Sequence, residues 1–252
     1  MPEGPSLVIL RQEAARFEGL HIVGAEGNTS AIEPAQLVGQ PILALRTFGK
    51  QFIIALPDMA VRIHFMLFGS YRIDARKDRP PRLALRMEDG GELNFYGCSV
   101  RRIDPDLDAA YDWSGDVMAD QWSAARALKK LRAAPATLAC DALLDQAIFA
   151  GVGNIIKNEV LFRIRVHPLS PVGALTPAKL RELVAQARAY SFEFLAWKRA
   201  YVLKQHWLAH TKRTCPRCHI PFSKAHLGRT QRRSFFCERC QQRYPRATAP
   251  PL

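Results

Sequence analysis

Leu7, Leu10, Ala14 and Phe17 recur at the three- and four-residue spacing of one helical face. With the start Pro2-Glu3-Gly4-Pro5 they predict an amphipathic helix over residues 5–17. The period then shortens. Runs rich in β-branched and aromatic residues, broken by Gly, Pro and Asp, predict strands at His21–Gly24, Pro41–Thr47, Gln51–Leu56, Ala60–Phe65, Ser70–Asp74, Leu83–Met87, Glu92–Tyr96 and Val100–Ile103. So many short strands at close spacing point to a sandwich or barrel. The segment 104–120, with six Asp and no Lys or Arg, reads as a linker. From residue 121 helical periodicity returns, with helices expected over Trp122–Arg132 and Ala134–Cys140. Leu143–Phe149 leads into the tight turn Ala150-Gly151-Val152-Gly153-Asn154, with Asn154 as N-cap of a helix over Ile155–Phe162. Thr176 caps a further helix with Pro177 at its first position, and Leu180, Leu183, Val184 and Ala187 form its apolar stripe. A cysteine-rich unit follows, and 245–252 is expected to be a disordered tail. The fold class is therefore α+β multidomain, with a β part over 1–112, a helical part over 121–209 and a small cysteine-rich unit over 210–244.

Composition narrows the partners. Of 252 residues, 48% are hydrophobic and 23% charged, enough apolar content for a packed core and far from a disordered chain. The apolar runs are far short of a membrane span, and the first residues carry neither a basic nor an apolar leader, so a cytoplasmic location, at a bacterial nucleoid, is expected, with no membrane partner. The net charge is +13 and the pI about 9.8. From Lys198 to Arg246 thirteen Lys or Arg face one acid, Glu238, which concentrates +12 in one stretch. A localised basic surface of this kind suits a polyanion, nucleic acid before membrane.

Four of the six cysteines form two Cys-x-x-Cys knuckles, Cys215-Pro216-Arg217-Cys218 and Cys237-Glu238-Arg239-Cys240, eighteen residues apart. Four thiolates at this spacing suit one tetrahedral structural Zn2+, with iron the lesser alternative. Four sulfurs fill the shell, so His219 and His226 are read as non-ligands, and a closed site is structural, not catalytic. Between the knuckles lie Arg229, Arg232, Arg233, Phe235 and Phe236, and a rigid hairpin carrying arginines suits a phosphate backbone. Cys98 and Cys140 sit in apolar surroundings and are expected to be buried thiols without chemistry.

Four features occur together and in order: Met1-Pro2-Glu3-Gly4-Pro5, the Gly49-Lys50 pair opening a strand, the run Leu144-Asp145-Gln146-Ala147-Ile148-Phe149-Ala150-Gly151-Val152-Gly153-Asn154, and the terminal four-cysteine unit. In this the chain resembles the formamidopyrimidine-DNA glycosylase and endonuclease VIII family over residues 2 to about 242. The resemblance implies an N-terminal helix on a β-sandwich, a helical domain with a helix-two-turn-helix motif, and a C-terminal zinc finger. It implies a bifunctional DNA glycosylase and lyase of base excision repair. Pro2 resembles the nucleophile, its secondary amine free once Met1 is removed, and Glu3 the group that handles protons at the sugar. Lys50 resembles the strand lysine that contacts the target phosphate and assists catalysis. Asn154 resembles a phosphate-binding asparagine, a role compatible with a plain N-cap. Arg232 resembles the finger arginine, with Arg233 next to it as the alternative if the assignment slips by one. The partner is damaged double-stranded DNA, with single-stranded or bubble DNA as further substrates, bound by a monomer. Ser6 departs from the glutamate usual in the family, and the finger loop around Leu227–Gln231 differs slightly in length. A non-catalytic DNA-binding protein of the same fold, or a zinc-ribbon transcription or RNA-binding protein, are the alternative readings.

Lesion choice rests on two features. His64-Phe65-Met66-Leu67-Phe68-Gly69 places three large apolar residues, Met66, Leu67 and Phe68, where a polar turn is expected. A contiguous triplet resembles the void filler of the endonuclease VIII branch, needed once a base is flipped from the stack; packing into the sandwich is the alternative. Ala178 to Thr214 contains no glycine and reads as helix running into the finger, so the glycine-rich cover of the purine-specific branch is not expected. Oxidised pyrimidines are therefore favoured.

Overall fold

The computed structural model describes residues 2–245 and resolves two compact units, divided between Asp112 and Trp113. Met1 and the tail from residue 246 lie outside the described residues.

The first unit opens with helix α1 (Gly4–Ala14), which ends in a 3-10 turn over Ala15–Phe17. Six strands follow, β1 (Ile22–Glu26), β2 (Ala44–Phe48), β3 (Gln51–Ala55), β4 (Ala60–Ile73), β5 (Leu83–Met87) and β6 (Glu92–Ile103). They form one antiparallel sheet in the order β1-β5-β6-β4-β3-β2. The sheet folds back on itself: Gly39 N–H donates to Ile22 O at 2.7 Å and Ile22 N–H to Gln40 O at 3.0 Å, so the edge strand β1 meets the segment that leads into β2. One core results, in which Leu7, Leu10 and Phe17 pack with inward residues of all six strands, among them Leu45, Phe52, Ile63, Phe95 and Leu85. Each such side chain contributes roughly 1.5–3 kcal/mol by leaving water.

Two pairs of expected short strands are single long ones. Residues 60–65 and 70–74 fuse in β4, and 92–96 and 100–103 in β6. The ladder between them pairs Phe65 with Cys98 and Ser70 with Tyr96, so Met66 to Gly69 stand opposite Gly97 alone. The acidic segment is ordered as well. Asp106 caps the short helix α2 (Leu107–Ala110) by accepting from Ala109 N–H, and Asp116, 2% exposed, accepts from Met118 N–H.

The second unit contains α3 (Ala124–Ala133), α4 (Ala139–Leu144), α5 (Asn154–Arg163), α6 (Pro177–Arg199) and the hairpin β7 (Ser223–Leu227) and β8 (Arg232–Phe236). The helix expected from Ala134 starts only at Ala139. Pro135 disfavours helical backbone at Ala134, and Leu138 instead pairs with Pro171. Thr176 caps α6 as expected, accepting from Lys179 N–H at 3.2 Å. That helix stops at Arg199 and does not run on into the cysteine unit. Helix α5 is buried from Ile156 through Phe162, on every side.

Candidate active site and nucleic-acid interface

In the first unit, Pro2 and Glu3 precede α1. Glu3 is the N-cap, with extended backbone, and its carbonyl accepts from Ser6 N–H at 2.8 Å. Its carboxylate makes no capping bond to the helix and is 3% exposed. A buried carboxylate at a helix N-terminus lies where the helix dipole favours negative charge. Ser6 is buried on the same turn.

Gly49 and Lys50 form the two-residue turn of the β2–β3 hairpin, closed by the Phe48–Gln51 pair. Gly49 takes φ +56°, which a side chain would resist. The turn is braced by two residues that the motifs did not single out. His64 Nδ1 lies 3.1 Å from Lys50 O, and Tyr111 Oη donates to Gln51 Oε1 at 2.7 Å while its ring packs on Phe48. Burial lowers the His64 pKa, opposed by the hydrogen bond with Lys50 O and reinforced by the charges of Lys50 and Arg62.

Met66, Leu67 and Phe68 occupy a bulge inside β4, not a turn. They are 56%, 57% and 85% exposed, which rules out packing into the sandwich. The cause is a glycine pair. A Cβ on Gly69 would meet Gly97 O at 2.6 Å, and Gly97 has φ +57°. Only without side chains can the two backbones approach this closely and turn the triplet outward.

In the second unit, Gly153, not Asn154, is the N-cap of α5. The Asn154 side chain instead donates from Nδ2 to Arg233 O of β8 at 3.0 Å. The glycine turn before it is stitched by Gln146, whose Nε2 donates to Leu144 O and Val152 O and whose Oε1 accepts from Gly151 N–H. Lys157 is fully buried and reaches Ser234 Oγ at 2.8 Å, and Asn158 Oδ1 accepts from Phe235 N–H. Glu159 accepts from the N–H groups of Leu208, Ala209 and His210 at 2.7–2.9 Å; burial pushes its pKa up against those three donors. His210 lies 3.1 Å from Asn158 Nδ2, and burial together with Lys157 lowers its pKa to about 4. Three consecutive polar residues in a buried helix were the visible signal for this network.

The hairpin is tied down elsewhere too. The Asp141 carboxylate accepts from Arg229 N–H at 2.9 Å and Thr230 N–H at 3.3 Å in the β7–β8 turn. Arg217 sits inside the first knuckle but faces the protein, donating to Phe162 O and Arg163 O at the end of α5 and stacking on Phe162 at 4.2 Å. Arg232 and Arg233 remain exposed on β8.

Cys215, Cys218, Cys237 and Cys240 bring their sulfurs within 4.8 Å of one another. Tetrahedral zinc, with Zn–S of about 2.3 Å, requires sulfurs about 3.8 Å apart, so the cluster fits such an ion. Burial works against ionisation of Cys215, yet the N–H groups of Arg217 and Cys218 bring its thiol down to about 7. Cys98 and Cys140 are buried, and burial raises both thiols to about 11.

These two units define the fold class of DNA glycosylases with a helix-two-turn-helix motif. The N-terminal domain of formamidopyrimidine-DNA glycosylase matches residues 1–102, and its H2TH domain residues 116–191. The chain belongs to the formamidopyrimidine-DNA glycosylase and endonuclease VIII family. It is 36% identical over 200 residues to Endonuclease 8-like 2 of Bos taurus, covering 73% of this chain and 58% of that relative. It is 29% identical to Endonuclease 8-like 3 of Mus musculus, covering 80% of this chain and 34% of the relative. The chain thus spans between a third and three fifths of the length of these relatives. Among solved structures, a viral DNA glycosylase aligns with TM-score 0.83 at 18% identity over 95% of this chain and all of its own. The Lactococcus lactis formamidopyrimidine-DNA glycosylase non-covalently bound to DNA containing an AP site aligns with TM-score 0.84 at 21% identity over 96% of this chain and all of its own. At these identities the likeness establishes the fold.

Proposed function

We propose that the protein is a bifunctional DNA glycosylase and lyase of base excision repair that acts through Pro2. The observation that carries this reading is Glu3, an acidic residue buried directly after Pro2 at the N-cap of α1. Once Met1 is removed, the Pro2 nitrogen is a secondary amine. It attacks C1′ of the damaged nucleoside, the C1′–N bond to the base breaks, and the base leaves with a proton. Glu3 carries the proton that opens the sugar at O4′, which yields an iminium between Pro2 and C1′. Loss of a C2′ proton expels the 3′ phosphate, a second elimination expels the 5′ phosphate, and water hydrolyses the iminium to free the enzyme.

Lys50 grips the phosphate of the target nucleotide. The Asn154 amide nitrogen carries two hydrogens, and the one not given to Arg233 serves a second phosphate, at the helix N-terminus. Arg232, or Arg233 beside it, adds a further backbone contact. Zn2+ in the four-cysteine cluster holds the hairpin that presents them, a structural role. The exposed Met66, Leu67 and Phe68 fill the gap left by the flipped base, which together with the Endonuclease 8-like relatives favours oxidised pyrimidines. The enzyme acts as a monomer in the cytoplasm on damaged duplex, with single-stranded and bubble DNA as further substrates.

The test is release of free base from oligonucleotides carrying thymine glycol or 8-oxoguanine opposite cytosine. Thymine glycol is released faster by the wild type. Glu3→Gln loses base release by about 100-fold or more while binding DNA normally. Full base release by that variant contradicts the reading, and preference for 8-oxoguanine contradicts the substrate assignment alone.

A further inference from the structure

Helix α6 ends in a turn that calls for glycine and contains tyrosine. Tyr201 N–H donates to Lys198 O at 3.1 Å and Val202 N–H to Trp197 O at 2.9 Å. These two bonds define a Schellman cap, in which the residue at Tyr201 must be left-handed; its φ is +60°. Glycine takes this conformation freely, whereas a side chain strains it, more so a bulky one. The strain gains nothing within the chain, because Tyr201 is 94% exposed, the most exposed of the large apolar or aromatic side chains among the described residues.

The turn that follows α6 is braced by a ring stack. Trp197 of the last helical turn stacks face to face on His206 of the following 3-10 turn (Leu203–His206), with ring centres 4.2 Å apart and planes 2° apart. The backbone that carries Tyr201 is thus pinned by the two capping bonds and flanked by this stack, while its ring is exposed. Around it the chain is cationic: Lys198, Arg199 and Lys204 are exposed, and no acid occurs from Phe194 to Cys237. An exposed aromatic ring in a cationic stretch of chain that carries no acid is the combination that takes a nucleobase, by stacking on the ring while the cations meet the phosphates.

We propose that Tyr201 is a base-stacking contact for unpaired DNA, a second aromatic reader in addition to the triplet of β4. This rests on the DNA-repair reading above. It deepens that reading by assigning a nucleobase contact to a segment in which the sequence shows no lesion cover.

The proposal makes stability and affinity move in opposite directions. Full-length wild type, Tyr201→Gly, Tyr201→Asn, Tyr201→Trp and Arg232→Ala are compared for thermal unfolding and for binding to two uncleavable probes. One is a duplex with a tetrahydrofuran abasic analogue opposite an unpaired stretch; the other is a single strand. Tyr201→Gly relieves the strain and melts at the same temperature or up to about 4 °C higher. It nonetheless binds both probes on the order of tenfold more weakly, the loss of one base–aromatic stack. Tyr201→Asn tolerates the turn and behaves likewise, and Tyr201→Trp restores affinity. Unchanged binding by Tyr201→Gly overturns the proposal, as does weaker binding accompanied by a lower melting temperature that Trp does not rescue. If Arg232→Ala weakens binding and Tyr201→Gly does not, only the inference about Tyr201 falls. If the wild type binds neither probe, the DNA reading falls with it.

Discussion

At the scale of single residues, the buried polar groups of the second unit are the most demanding. Glu159 and Lys157 are ionisable groups buried inside α5 and are tolerated because Glu159 accepts from three N–H groups and Lys157 donates to Ser234 Oγ at 2.8 Å and Arg233 O at 3.3 Å. His210 sits beside them with its pKa lowered to about 4 by burial and Lys157. The folded ring stays neutral while the unfolded one, with an ordinary pKa near 6.5, takes up a proton, so the contribution is full above pH 6.5 and is lost as pH falls towards 4. Urea unfolding at pH 7 and pH 5 is expected to show a loss of stability in the wild type that is smaller in His210→Gln. An equal loss in both would remove His210 from this account. None of this network was named from sequence; the polar run Lys157-Asn158-Glu159 becomes a signal only once α5 is known to be buried on every side. Asn154 shows the limit most clearly. Its position at the start of α5 was legible, but its partner, the carbonyl of Arg233, lies 79 residues away, and only the tertiary fold brings the two together.

The bulge in β4 is the element with the clearest consequence. A period-two pattern could show strands at 60–65 and 70–74, and three apolar residues between them. It could not show that four residues would stand opposite Gly97, since that depends on how β4 registers with β6. The exposed triplet takes no part in the core, so Met66→Ala, Leu67→Ala and Phe68→Ala combined should leave the melting temperature of the first unit almost unchanged. Excision from duplex DNA is expected to drop at least tenfold, while excision from single strands, which leave no void in a base pair, is largely kept. Equal losses on both substrates would mean that the triplet serves general binding and not void filling. The hairpin β7–β8 was legible from the cysteine spacing alone. Its attachments through Asp141 and Arg217 were not, because an aspartate on a helix and an arginine in a basic loop both read as solvated surface.

Over the whole molecule, the order of β part, helices and cysteine unit was visible in the sequence because each has its own periodicity or ligand spacing. The acidic stretch between them was read as a linker because six aspartates carry no core signal; Asp106 and Asp116 are in fact used in local caps and turns. The cysteine cluster packs with Phe162 of α5 and belongs to the second unit, so metal removal should reach beyond the hairpin. Chelation, or Cys237→Ser, is expected to lower the unfolding temperature of the second unit and weaken DNA binding at least tenfold, with the first unit unfolding as before. A metal-free protein with unchanged affinity would show that the hairpin is not a DNA grip. Whether Pro2 performs the chemistry is tested by borohydride trapping on thymine-glycol DNA followed by mass mapping of the adduct. The account predicts a reduced covalent link at the Pro2 nitrogen, abolished by one extra N-terminal residue and impaired in Pro2→Gly; an adduct on a lysine, or trapping that survives the blocked N-terminus, would contradict it.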